Sequence, residues 1–178
     1  MADMDRIRSK IKADPRFKKI RSIVKTNHMF SFSINDYRSE AANMFRLRRF
    51  RDLDTDSVSF IKDLNKAYSQ DLSYRSRMTE MYVACNSARG LLNRLLTAFY
   101  DYAIIEYYAD LKSVGTAEER KRFLSSILRT QQDLISEYDL MCEELDFYMK
   151  DIDKCGFGAT SMANTQVMLS KNGGRESI

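Results

Sequence analysis

The side chains with chemistry to offer are few and poorly spaced for it. His28 is the single histidine, so neither a histidine-paired nucleophile nor a multi-histidine metal site can be assembled within one chain. Cys85, Cys142 and Cys155 are an odd number, far apart and without a CxxC pair; they read as reduced, buried thiols of a cytoplasmic protein. Asp52, Asp54 and Asp56 open like a calcium loop, but Ser57 stands where that loop needs glycine and Asp63 where it needs a bidentate glutamate. A solvated helix start fits the acidic run better. Glu118-Glu119 and Glu143-Glu144 are sequence neighbours on helices and face different directions. Gly156-Phe157-Gly158 is too short for a phosphate loop, and no dinucleotide or nucleophile-elbow motif occurs. No enzyme is expected, and no metal or cofactor.

Polyanion binding is the chemistry that the residue types do favour. The 178 residues carry 29 Lys+Arg and 25 Asp+Glu, a net +4. Residues 1–51 hold 14 Lys+Arg and 5 Asp+Glu, net +9, and residues 52–178 hold 15 and 20, net −5. The expected phosphate contacts are Lys18, Lys19, Arg21 and Lys25 in one run, and Arg46, Arg48, Arg49 and Arg51 in the densest basic cluster. Arginine forks grip phosphate oxygens in a way that lysine does not. Phe17, Phe45 and Phe50 lie among these cations, as a strand-binding groove requires. Nucleic acid ranks ahead of an acidic protein partner or self-assembly, and both rank ahead of an anionic membrane. Tyr100, Tyr102, Tyr107 and Tyr108 could stack on bases, but Asp101, Glu106 and Asp110 surround them; core packing suits them better.

The elements that must position these residues are helical. Six glycines and one proline disfavour a turn-dense β architecture. Ile7 and Ile11, then Phe17, Ile20 and Val24, recur at helical spacing around a break at Asp14-Pro15. Phe30, Phe32 and Ile34 alternate, which suggests a short extended segment. Asn35 or Asp36 is positioned to cap the next helix. A long stripe follows: Ile61, Leu64, Tyr68, Met78, Tyr82, Cys85, Leu92, Leu96, Phe99 and Ala103. Beyond Gly115, Thr116 and Glu119 spell a capping box, and Leu124, Ile127, Gln131, Leu134, Tyr138, Met141, Leu145, Tyr148 and Ile152 form a second stripe. Cys155 to Gly158 reads as its stop.

The fold class expected is therefore all-α: a long antiparallel helical hairpin, coiled-coil-like, from about 56 to 154, preceded by shorter basic helices. The organisation expected is a basic arm at 1–51, a hairpin core at 52–158 and a flexible tail at 159–178. MADMDRIRSK lacks the apolar run of a secretory signal. Leu91 to Tyr108 is interrupted by Arg94, Asp101 and Glu106, so no membrane span is expected.

Glu106-Tyr107-Tyr108, a short loop, Leu124-Ser125, then Tyr138 through Leu145-Asp146-Phe147 to Cys155-Gly156-Phe157, resembles the UvsY-type recombination mediators of tailed phages. The resemblance covers residues 100–160. It implies a helical accessory that binds single-stranded DNA, assembles into rings and helps load a recombinase onto strands covered by a single-strand-binding protein. Such a protein works in the host cytoplasm. The family carries basic residues ahead of its double tyrosine, where Asp101, Ala103, Ile104, Ile105 and Glu106 stand here, so no individual DNA contact is carried over. The expected function is a non-enzymatic, homo-oligomeric nucleic-acid-binding accessory that favours single-stranded DNA. The alternative is a structural or adaptor protein of a virion or other assembly.

Overall fold

The computed structural model describes residues 2–49 and 60–173. It is all-α, with six helices and no strand among the described residues: α1 (Ala2–Ala13), α2 (Pro15–Thr26), α3 (Ile34–Arg49), α4 (Phe60–Glu106), α5 (Tyr108–Lys112) and α6 (Ala117–Gly173). The chain divides into two compact units, Met1–Ile34 with Ala84–Cys142, and Asn35–Val83 with Glu143–Ile178. By this division residues 1–34 fall in the first unit and residues 35–51 in the second. Helices α4 and α6 contribute to both and run antiparallel in each. In the second unit Arg75 pairs with Asp153 and Thr79 with Met149, so partners step forward on one helix as they step back on the other. In the first unit Arg89 pairs with Asp139.

The first unit is built on Leu92, Leu96, Phe99 and Ala103 of α4, which are buried against Phe123, Leu124, Ile127 and Leu128 of α6. Ile7 and Ile11 of α1 and Phe17 and Ile20 of α2 close the same core. The expected extended segment after α2 is instead a 3-10 turn, His28–Phe30, whose Met29 N–H donates to the Asn27 side chain at 2.9 Å. The Phe30 and Phe32 rings both reach Tyr138, at 6.5 and 5.8 Å; their alternation in sequence reflects this shared target and not a strand. Helix α3 starts at Ile34, so Asn35 and Asp36 lie inside its first turn.

In the second unit Ala41 and Met44 of α3, Phe60, Leu64, Ala67, Met78 and Met81 of α4, and Leu145 and Ile152 of α6 are buried. Phe45 stacks on Tyr148 at 4.7 Å. Two residues assigned to the seam from the sequence, Ile61 and Tyr68, are exposed, while Phe60 and Ala67 are buried in their place. The buried stripe is displaced because α3 as well as α6 lies on this part of α4, as the pairs Arg77–Glu40 and Arg48–Asp71 show.

The helix stop expected at Cys155–Gly158 is absent, and α6 continues to Gly173 through much of the segment read as a tail. Gly156 serves packing: a Cβ there would stand 3.2 Å from Cε2 of Tyr68, so the bare backbone lets that ring approach at the usual helical cost of about 1 kcal/mol. Cys85 and Cys142 are buried as expected, and burial pushes both thiols up, Cys85 to about 12. Cys155 is exposed, against expectation.

The turn between α5 and α6 follows the sequence reading. Thr116 N–H donates to Glu119 Oε2 at 2.7 Å, and Glu119 N–H donates back to Thr116 Oγ1 at 3.3 Å. Gly115 precedes it at φ 127°, where a Cβ would collide with the Glu119 carboxylate. Gly115→Ala should therefore cost roughly 1–3 kcal/mol through backbone strain and loss of the box. The urea midpoint should fall with an unchanged slope; an unchanged midpoint would contradict this role for the glycine.

Candidate nucleic-acid interface

Helix α2 carries four of the expected phosphate contacts, and one buried carboxylate sets where it lies. Asp14 is the N-cap of α2, with Pro15 at its first position. Its Oδ1 accepts the Arg16 N–H at 2.6 Å. Its Oδ2 accepts from Tyr107 Oη at 2.6 Å and from Tyr102 Oη at 3.2 Å. Asp14 is only 5% exposed. Burial alone would push its carboxyl up, but the donors at Tyr107, Arg16 and Tyr102 outweigh that and hold it below its ordinary value. Burial and the Asp14 charge push the Tyr107 hydroxyl up in turn. Arg16 lies over the Tyr102 ring at 3.8 Å, and Phe17 meets Phe99 at 5.5 Å. Tyr102 and Tyr107 are structural here, while Tyr108 is exposed.

With Phe17 and Ile20 turned into the core, α2 leaves Lys18, Lys19, Arg21 and Lys25 exposed to solvent. None of these four cations makes an ion pair among the described residues. Others nearby are engaged: Lys10 pairs with Asp110 at 2.6 Å, and Arg8 donates to Ser126 at 3.3 Å while lying over Phe123.

The second basic cluster is placed differently. Arg46 is exposed and donates to Asn43 Oδ1 at 3.1 Å. Arg48 is buried: its side chain is 7% exposed, donates to Asp71 at 3.2 Å, pairs with Asp151 and reaches the Asp151 carbonyl at 3.0 Å. It holds α3, α4 and α6 together and is not open to a phosphate. The Arg49 side chain and Arg51 lie outside the described residues, as do Phe50 and the acidic run Asp52–Ser57. Among the described residues no cluster of His, Cys, Asp and Glu could hold a metal ion, and no helix is long and apolar enough to cross a membrane.

Charge follows this division. The first unit has 16 Lys+Arg against 11 Asp+Glu, net +5, and the second has 13 against 14, net −1. Sequence reading missed Arg16, which belongs to the same basic helix, and read Asp14-Pro15 as an interruption only. An aspartate directly before a proline is an N-cap signal, but nothing local announces the two tyrosines. Compared with known proteins, the chain matches no family model, no curated protein and no solved structure.

The depressed Asp14 carboxyl stabilises the fold fully above its ordinary value of 3.8, and that contribution is lost as pH falls through the lower folded value. Tyr107→Phe removes one donor to a buried charge and should cost about 1.5–3 kcal/mol at neutral pH. Asp14→Asn should also destabilise at neutral pH, by an amount that shrinks below about pH 4. Chemical denaturation across pH checks both; an Asp14→Asn penalty that is constant with pH would contradict the assignment.

Proposed function

We propose that the protein is a non-enzymatic accessory that binds single-stranded nucleic acid, DNA in the first place, through the outer face of α2. The observation that carries this reading is the line of exposed cations Lys18, Arg21 and Lys25, with Lys19 beside it, all without acidic partners among the described residues. On one helix they recur about once per turn, or roughly every 5 Å, which suits a ligand with regularly repeated negative charge. Each such cation placed at a phosphate releases counterions and makes affinity steeply salt-dependent. The resemblance to UvsY-type mediators supports the same reading. It adds self-assembly and a recombinase or single-strand-binding protein as partners.

The adaptor reading has an observation of its own. In the second unit α4 leaves Ile61, Tyr68 and Leu72 exposed at steps of seven and four, with Val83 eleven further on. Steps of this size keep apolar side chains on one helix face. If that face assembles copies of the chain, nuclease-treated protein should sediment above the monomer, and Leu72→Glu should dissociate it without changing strand binding.

The nucleic-acid reading is tested by charge substitution in the full chain. Residues 1–34 supply Ile7, Ile11, Phe17 and Ile20 to the core, so deleting them would remove structure along with charge. Replacing Lys18, Lys19, Arg21 and Lys25 by glutamine, which keeps helix propensity close to that of the natural residues, should leave thermal stability nearly unchanged. It should reduce the slope of log affinity against log salt by about 3 for single strands, near 0.7 per lost phosphate contact. Replacing Lys62, Lys66, Lys150 and Lys154 should leave the slope unchanged. Equal effects of the two sets, or salt-independent binding, would overturn the reading.

A further inference from the structure

In the first unit a groove of about 290 Å³ opens between α2 and α4. Ile20, Ile23, Leu95 and Ala98 give it an apolar lining, and Arg16 and Lys19 put two cations on it. Neither cation has an ion pair among the described residues. Arg16 rests over the Tyr102 ring at 3.8 Å, which steadies its charge without neutralising it. On an α-helix Lys18, Arg21 and Lys25 fall on nearly the other side from Arg16, Ile20 and Ile23, so the groove is separate from those three cations. In the second unit, Phe147 of α6 is 61% exposed. Its ring leans on Phe45 at 6.2 Å and on Tyr148 at 5.8 Å. Glu143 stands one turn before it on the same helix face and is exposed. Glu144 pairs with Arg38 and Asp146 with Lys150, whereas Glu143 has no ion pair among the described residues.

We infer that this groove is the docking site for a second copy of the chain, whose Phe147 enters it while its Glu143 pairs with Lys19 and Arg16. An apolar slot with two unpaired cations suits an apolar group that carries a carboxylate within one helical turn, and Phe147 with Glu143 is that combination. A cavity of about 150 Å³ admits a benzene ring, so the groove has room for a phenyl ring and part of the turn that bears it. A polyanion gains little here, where only two cations line the groove, and an uncharged apolar partner would leave both of them unpaired. The net charges of +5 and −1 on the two units favour the meeting of unlike units. A helix face laid in an apolar groove is a recurring mode of recognition, and a buried aromatic anchor commonly dominates its affinity. Groove and ring belong to different units, so the contact joins unlike surfaces and each copy offers one of each. The inference goes beyond strand binding and does not rest on it: Lys19 alone is common to both surfaces, and Lys18, Arg21 and Lys25 stay open when the groove is filled.

Sedimentation of the full, nuclease-treated chain over a range of concentrations tests this. The natural protein should associate, and Phe147→Gln should weaken that association at least about tenfold, as for loss of an aromatic anchor. Ala98→Phe, which fills the groove from an exposed helix position, should do the same. Mixing the two variants should restore a one-to-one complex, because one intact groove and one intact ring remain. In the natural protein, which needs no variant to fold, carbodiimide should join Lys19 to Glu143. When light and heavy-isotope-labelled protein are mixed first, the joined peptides should include pairs of mixed isotope. A natural protein that stays monomeric, association unchanged in both variants, a variant mixture that stays monomeric, or the absence of mixed-isotope pairs would each overturn the inference. If Leu72→Glu dissociates the protein and Phe147→Gln does not, the exposed face of α4 makes the contact and the groove assignment is wrong. No nucleic acid enters these measurements, so a failure of strand binding is read separately.

Discussion

A carboxylate withdrawn from water is stable only where donors replace the water it has lost, and Asp14 has three. Tyr102 donates from the last turns of α4, Tyr107 from the N-cap of α5 just beyond it, and the Arg16 backbone from the first turn of α2. One side chain thus caps a helix and joins it to residues 88 and 93 positions away in sequence. The cap fixes where α2 begins, and Phe17 and Ile20, entering the core from the next turn, fix how it is rotated. Once that rotation is set, the direction of Lys18, Arg21 and Lys25 follows from helical spacing alone. The exposed cationic face is therefore a consequence of an internal anion, not of charge composition by itself.

The arginines and lysines of the first third have separate fates for the same electrostatic reason. Arg48 is almost fully withdrawn from solvent and sits between Asp71 and Asp151; a buried guanidinium without such partners would carry a heavy desolvation cost. Arg38 pairs with Glu144 at the surface, where the contribution to stability is small. Lys18, Lys19, Arg21 and Lys25 of α2 have neither role, and their solvation leaves them open to an external anion. Net charge by unit, +5 against −1, locates the excess better than a split of the chain at residue 51.

What the sequence made legible was local. Apolar residues three and four apart forecast α1, α2, α4 and α6, and the Thr116–Glu119 box gave the start of α6 to the residue. What it hid was long-range. Arg48 looked like its neighbours because Asp71 and Asp151 are 23 and 103 residues away. Gly156 looked like a stop because the Tyr68 ring that needs its missing Cβ lies on another helix. Ile61 and Tyr68 looked like seam residues because the shift imposed by α3 leaves no mark on the periodicity of α4. The groove beside α2 was invisible for the same reason, since its two walls are about 75 residues apart.

The central claim is that α2 meets the strand, and amine-reactive footprinting of the full chain with and without an oligothymidylate tests it most directly. The account predicts that Lys18, Lys19 and Lys25 lose reactivity when the strand is bound, while Lys62 and Lys66 on α4 keep theirs. Protection of Lys62 and Lys66 with α2 left reactive, or uniform protection of every lysine, would contradict it.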